Sequence, residues 1–345
     1  MGNGFSTNDI PNLEGKTYLV TGANTGIGYQ TALYLAKNKG KVILACRSAD
    51  KAHAAMDAIR AKLKADGTTH DPQLDFLELD LGSLKQVATA ARSVVAKGEK
   101  IDALINNAGI MAVPYRLTQD GLESQFGTNH MGHFVFTMLV LPVVPKNTGR
   151  IVNLTSLLHY YSYSFGLGTL EQVFVDPAAP KPADGEKHPS EAVYSPSLAY
   201  GQSKLCNMLF TKYLASKQPH LRVFAVHPGV VDTNLHHHVQ ESYSGVVGKA
   251  YTALAKVVGK KPVNGARTSL AAATSPQLDQ DPPKVPSGSY FEPYGEVAEP
   301  SAFAKDPALQ QRLWEMSIEL VRRTLGEETV KEIERNIAQT ESAHW

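Results

Sequence analysis

The chain has 345 residues, 43% of them apolar and 19% charged, and its 34 Lys and Arg balance 33 Asp and Glu. Such a composition suits a soluble globular protein with a substantial core and excludes a broad basic footprint for nucleic acid or anionic lipid. The longest apolar run, Phe134 to Val144, is interrupted by Thr137 and Pro142 and falls short of the roughly 18 to 20 residues a membrane-spanning helix needs.

At the N-terminus, Met1 to Leu13 is polar and carries no signal-peptide core. The start MGNGFS, with Gly2 and Ser6, matches the loose N-myristoylation pattern, which is short enough to match by accident. The run Tyr18 to Val20, the turn TGANTGIG from Thr21 to Gly28 and the helical spacing of Tyr29 to Ala36 predict strand, tight turn and helix. Gly22 permits a turn that other residues resist. Gly26 and Gly28 remove side chains that would hold a pyrophosphate or the strand away from the helix N-terminus. Their spacing differs from the common G-x-G-x-x-G fingerprint.

Strands follow at Lys41 to Cys46, Leu74 to Leu79 and Ile101 to Asn106, with helices expected over Asp50 to Ala65 and Ser83 to Lys97. This alternation predicts parallel strands covered by helices. Leu122 to Val144 reads as helix as far as Pro142, and Gly149 to Ser156 as a fifth strand. The segment at about 157–197 has no sustained period and reads as a long insertion, with a second irregular loop at about 230–263. Regularity returns with a helix from Leu198 to Lys217, a strand from Leu221 to Val226, a helix from Asn264 to Ala273 and a short strand from Gly288 to Phe291. Asp306 and Pro307 predict the N-cap and first turn of a helix that stops at Gly326, and Glu327 to Gln339 adds a polar helix. The expected architecture is a single α/β domain over 1–345, with a doubly wound parallel sheet of seven strands. The apolar Phe134 to Leu141 helix suits a partner subunit as well as the core, so a homo-oligomer is open. Cys46 and Cys206 lie in apolar runs, as reduced buried thiols of a cytoplasmic protein would.

Tyr200 and Lys204 stand four residues apart, which puts a phenol and an ammonium on one helix face. A free Tyr has a pKa of about 10, so using it near neutrality means stabilising phenolate by roughly 4 kcal/mol, and a neighbouring cation has the right sign. Ser156 falls at the carboxyl end of the fifth strand, where an open parallel sheet meets its ligands, and its hydroxyl suits either a substrate oxygen or a turn cap. The NNAG run, Asn106 to Gly109, ends the fourth strand at the same edge.

Together, TGANTGIG, NNAG, Ser156, YGQSK (Tyr200 to Lys204) and HPG (His227 to Gly229) resemble the ordered motifs of the short-chain dehydrogenase/reductase family, across nearly the whole chain. NHMGHF at Asn129 to Phe134, Cys46-Arg47 and the stretch around Trp314 look like its retinol-dehydrogenase and WW-domain-oxidoreductase branch. The resemblance implies a Rossmann fold and a hydride-transferring oxidoreductase acting on a ketone, aldehyde or secondary alcohol. Tyr200 would be the general acid or base, Lys204 would lower its pKa and bind the nicotinamide ribose, Ser156 would orient the substrate oxygen, and Asn129 would hold a water in the proton relay. The implied cofactor set is Gly22, Asn24, Thr25, Gly26, Ile27, Gly28, Arg47, Asp80, Leu81, Asn107, Ala108, Gly109, Tyr200, Lys204, Pro228, Gly229, Val231 and Thr233. Cys46 occupies the place of the acid that accepts from a ribose in NAD-binding folds, and the guanidinium of Arg47 suits the added phosphate, so NADP(H) is expected. Hydride chemistry needs no metal, and His130, His133 and His236 to His238 read as core or solvated histidines. Two rivals share parts of this pattern, a non-catalytic dinucleotide sensor and an epimerase or dehydratase with the same Tyr and Lys. The interval between Ser156 and Tyr200 is wider than the family usually shows. Tyr160, Tyr161, Tyr163 and Phe165 within it suit either a wall for an apolar or aromatic substrate or a packed cluster.

Overall fold

The computed structural model describes residues 4–161, 194–231, 260–280 and 284–341. In chain order the elements are β1 Thr17–Thr21, α1 Gly26–Lys37, β2 Lys41–Cys46, α2 Ala49–Ala65, β3 Leu74–Glu78, α3 Leu84–Ala96 and β4 Ala103–Asn106. Ser124–Phe126, a π-helical turn Gly127–Met131 and Gly132–Val140 then run on as α4. There follow β5 Arg150–Leu154, α5 Pro196–Lys217, β6 Arg222–Val226, α6 Pro262–Thr274, β7 Tyr290–Glu292, β8 Glu296–Ala298, α7 Pro307–Leu325 and α8 Glu327–Glu341.

The sheet order is β3-β2-β1-β4-β5-β6-β7-β8. All pairings are parallel except the last, β7 with β8. Among the described residues the sheet therefore has eight strands rather than the expected seven. Chain direction reverses at Pro293–Gly295, where Tyr294 and Gly295 have φ of 70° and 80°, and a three-residue hairpin arm results. Its Val297 is half-exposed, so no burial alternation marks it in the sequence.

Alternation along each central strand feeds two separate cores. Leu19, Leu104, Ile151, Val223 and Tyr290 face α3, α4, α5, α7 and α8. Their neighbours Val20, Ile105, Val152, Phe224 and Phe291 face α1, α2 and α6. Side chains that alternate while both faces stay buried are what a doubly wound sheet requires.

At the C-terminus the predicted cap is present: Asp306 Oδ1 accepts from Ala308 N at 2.8 Å, and Gly326 ends α7 at φ 86°. The helix that read as polar, α8, has an apolar stripe. Val330 and Ile333 are fully buried, Asn336 Nδ2 donates to Met138 O at 3.0 Å, and Arg92 pairs with Glu332 at 2.6 Å. Trp314 of α7 meets Phe134 edge-on at 5.3 Å. The apolar Phe134–Leu141 stretch is thus packed against the chain's own terminal helices. Among the described residues no helix is long and apolar enough to cross a membrane.

Because β1 and β4 are neighbours whose connections leave in opposite directions along the sheet, their carboxyl ends open a crevice. The candidate site lies there.

Candidate active site

The glycine turn between β1 and α1 is shaped by contacts that side chains would block. Gly22 and Gly26 have φ of 65° and 57°, in the region that favours glycine. A Cβ on Gly28 would stand 2.4 Å from Gly22 O and 2.5 Å from Asn107 Nδ2, so the start of α1 packs against the strand ends at backbone distance. The turn leaves a cleft of about 330 Å³ at the start of α1.

Thr21, the last residue of β1, ties this turn to the end of β4. Its Oγ1 accepts from both Asn107 N and Ala108 N at 2.9 Å, and Asn107 Nδ2 donates to Thr21 O at 2.8 Å. The Thr21 hydroxyl is also 2.9 Å from His133 Nε2, while His133 Nδ1 lies 3.0 Å from Asn129 O. These partners assign the proton to Nδ1, leaving Nε2 to accept from Thr21. Burial pushes the His133 pKa down to about 4, so the ring is neutral. The core role expected of His133 is therefore a specific one. Asn106 turns its amide away from the cleft, donating to Thr137 Oγ1 and Asn153 Oδ1 at 2.9 and 2.8 Å beneath the sheet edge.

Helix α5 carries Tyr200 and Lys204, both more than nine-tenths buried. Lys204 Nζ sits 5.6 Å from the centre of the Tyr200 ring and donates to Leu154 O at 3.2 Å. Burial depresses the lysine pKa from 10.5 to about 8. A cation still largely protonated at neutral pH therefore stands beside the phenol in a poorly solvated place. Thr155 Oγ1 donates to Lys204 O at 2.8 Å and Asn207 Nδ2 to Leu154 O at 3.0 Å, locking α5 onto the end of β5.

Gly22, Asn24, Thr25, Gly26, Ile27, Gly28, Arg47, Asp80, Leu81, Asn107, Ala108, Gly109, Tyr200, Lys204 and Pro228 all line the cleft. Asp80 Oδ1 also caps its own turn, accepting from Gly82 N at 2.9 Å. Cys46 is buried at the end of β2, where the N–H groups of Ala23 and Asn24 meet its sulfur, and burial pushes its thiol up to about 11. Arg47 is exposed at the cleft, and no described residue bonds or pairs with its guanidinium.

Four candidates lie elsewhere. Ser156 stands two residues beyond β5, at the N-cap of the turn Leu157–Tyr160, and its Oγ accepts from Leu158 N at 3.3 Å. The cap reading of this serine is thus realised, while its O–H stays available to donate. Asn129 is fully buried in the π-helical turn, a feature often found at functional sites. Its Nδ2 donates to Ile110 O and Ser203 Oγ, both at 2.9 Å, and its Oδ1 accepts from Ile110 N at 2.8 Å. Both amide protons are spent on protein, so the water expected at Asn129 would have to use other atoms. Gly229 has φ 84°, and buried Val231 bridges to Lys260. Thr233, Tyr163, Phe165 and His236 to His238 lie outside the described residues. Tyr160 forms no wall at the site, since its ring packs on His159 at 4.1 Å and its hydroxyl donates to Glu299 O.

Residues 16–166 match the family model of the short chain dehydrogenases. Retinol dehydrogenase 13 of Mus musculus is 38% identical over 312 residues, covering 90% of this chain and 84% of the mouse protein. The chain belongs to the short-chain dehydrogenase/reductase family. Within that family it falls in the retinol dehydrogenase branch, with human retinol dehydrogenase 14 34% identical over 88% of this chain and 86% of that one. The solved structure of an uncharacterised Mycobacterium paratuberculosis protein superposes with a TM-score of 0.66, at 33% identity and over 93% of this chain and 98% of the other. As a short-chain dehydrogenase/reductase, the chain is an oxidoreductase of a family that binds a nicotinamide dinucleotide. The cradle at Gly22 and Gly28, where a side chain would collide with backbone, fits such a group.

Proposed function

We propose that the chain transfers hydride between NADP(H) and an apolar ketone, aldehyde or secondary alcohol. The burial of Tyr200 against Lys204 on the lining of the cleft carries this reading. The glycine turn would hold the pyrophosphate, Asp80 and Leu81 would frame the adenine, and Lys204 would reach the nicotinamide ribose. When bound, the dinucleotide supplies or accepts the hydride.

In reduction the Tyr200 hydroxyl donates its proton to the carbonyl oxygen, and in oxidation the phenolate takes the alcohol proton. Lys204 favours the phenolate, because a cation in a poorly solvated site acts more strongly than in water. Ser156 donates its hydroxyl proton to the same substrate oxygen, holding it for protonation. Met111, Ala112 and Leu158 pack around Tyr200 and supply an apolar wall.

Arg47 supports NADP(H) over NAD(H). It is an exposed guanidinium with no partner among the described residues, beside a thiol that stays neutral and cannot replace an acid on a ribose. Buried, unpaired Cys46 and Cys206 suit a reducing, cytoplasmic setting. A panel of aliphatic and aromatic carbonyls, followed by NADPH absorbance, tests the reading. Turnover of aromatic ketones or aldehydes is expected, and tight NADPH binding with no turnover across the panel would favour a dinucleotide sensor instead.

A further inference from the structure

A second buried polar cluster adjoins the site and has no part in the chemistry above. Gln125 is fully buried at the start of α4, and every polar atom of its side chain is engaged. Its Oε1 accepts from Ala112 N at 2.7 Å, and its Nε2 donates to Tyr194 OH at 2.7 Å and Pro196 O at 2.9 Å. Buried Glu123 completes the cluster. One carboxylate oxygen accepts from Gln125 N and Tyr194 OH, both at 2.9 Å, and the other from Phe126 N at 2.7 Å. Tyr194 OH also lies 3.2 Å from Val113 O.

Each end of this cluster reaches one side of the active site. Ala112 has φ 49°, which a residue with a Cβ resists, and the bond from its N–H to Gln125 helps hold that conformation. Ala112 and its neighbour Met111 pack against Tyr200. At the other end, Pro196 is the first residue of α5, one helical turn before Tyr200. Gln125 therefore connects the loop that walls the phenol with the start of the helix that carries it, as Asn129 does one turn further along α4 through Ile110 and Ser203.

We propose that Gln125, held by Glu123 and Tyr194, is a positioning residue that sets the spacing between the Met111–Ala112 wall and Tyr200, and so selects substrates by bulk. The role rests on the reading of Tyr200 as the proton donor. Without the Gln125 amide, the left-handed conformation of Ala112 loses one of its supports and the start of α5 loses its direct bond to the wall. A displacement of this kind costs turnover more than affinity, since approach geometry is met in the transition state.

The test compares wild type with Gln125→Leu, which keeps the volume and removes the bonds, and with the milder Tyr194→Phe. Each is measured for NADPH affinity, for kcat and KM on a small aliphatic and a bulky aromatic ketone, and for hydrogen–deuterium exchange over 110–116 and 194–203. For Gln125→Leu the expected result is unchanged NADPH affinity, kcat lower by about 10- to 100-fold with little change in KM, a narrowed preference between the two ketones and faster exchange in both segments. Tyr194→Phe should move each readout the same way by less, and it carries the test if Gln125→Leu does not fold. Wild-type kcat and ketone preference in a folded variant, or exchange altered in only one segment, overturns the proposal. Absence of turnover in the wild type would instead overturn the assignment of Tyr200, and the exchange data would still decide whether Gln125 couples the two segments.

Discussion

Lys204 should be a residue that costs the apo protein stability. Its pKa is depressed from 10.5 to about 8 by burial alone, which corresponds to about 3 kcal/mol of preference for the neutral amine. At pH 7 the lysine remains mostly protonated, so the folded chain bears that cost. Between pH 8 and the unperturbed value of 10.5, the native state binds fewer protons than the unfolded one, and stability contributed by this residue rises with pH. Lys204→Met removes the charge and keeps an apolar stem. It also removes the charge-assisted bond to Leu154 O, worth about 1.5–3 kcal/mol, although Asn207 Nδ2 still bonds that carbonyl at 3.0 Å. The net expectation is a variant about 1 kcal/mol more stable than wild type at pH 7, with turnover lost. Denaturant unfolding of both proteins without cofactor, at pH 7 and pH 10, measures the difference. The gap should shrink at the higher pH, where the wild-type amine is neutral. A variant less stable than wild type at pH 7, or a gap independent of pH, would refute the reasoning.

Two further substitutions probe the cofactor cleft. Arg47→Glu should lower the ratio of kcat/KM with NADPH to that with NADH by about 100-fold or more, through loss of a charge-assisted contact worth about 1.5–3 kcal/mol and added repulsion, and steady-state kinetics with both cofactors reads it. A ratio equal to wild type removes Arg47 from phosphate recognition. Gly28→Ala places a Cβ 2.4 Å from Gly22 O and so must displace the turn. Fluorescence titration should show loss of dinucleotide binding, and wild-type affinity would mean the turn does not hold the pyrophosphate.

The fold was legible where physical constraints repeat along the chain. Short apolar strands alternating with amphipathic helices admit few arrangements, and the glycines of TGANTGIG mark a turn that other residues cannot make. β8 was not legible, because three residues at a half-exposed edge carry neither periodicity nor a long apolar run. Most of the expected cofactor residues line one cleft because the majority fall just past strand carboxyl ends, which parallel topology gathers together, while α5 brings Tyr200 and Lys204 to the same edge. For Ser156 the sequence offers both a substrate oxygen and a turn cap, and the cap is present at Leu157–Tyr160; only the strand end differs, since β5 stops at Leu154. The partners of Asn129 are not legible in the sequence, because Ile110 and Ser203 reach it only through the packing of α4 between the β4 loop and α5. The Glu123–Gln125–Tyr194 cluster is invisible for the same reason, as is the choice of α7 and α8 to cover the apolar face of α4.

The central claim is that Tyr200 moves the proton, and Tyr200→Phe tests it most directly, because the substitution removes one oxygen and leaves the ring packed against Met111, Ala112 and Leu158. NADPH affinity, read by titration, should persist while kcat for carbonyl reduction falls by about 10²- to 10⁴-fold. Turnover within a few-fold of wild type would contradict the account.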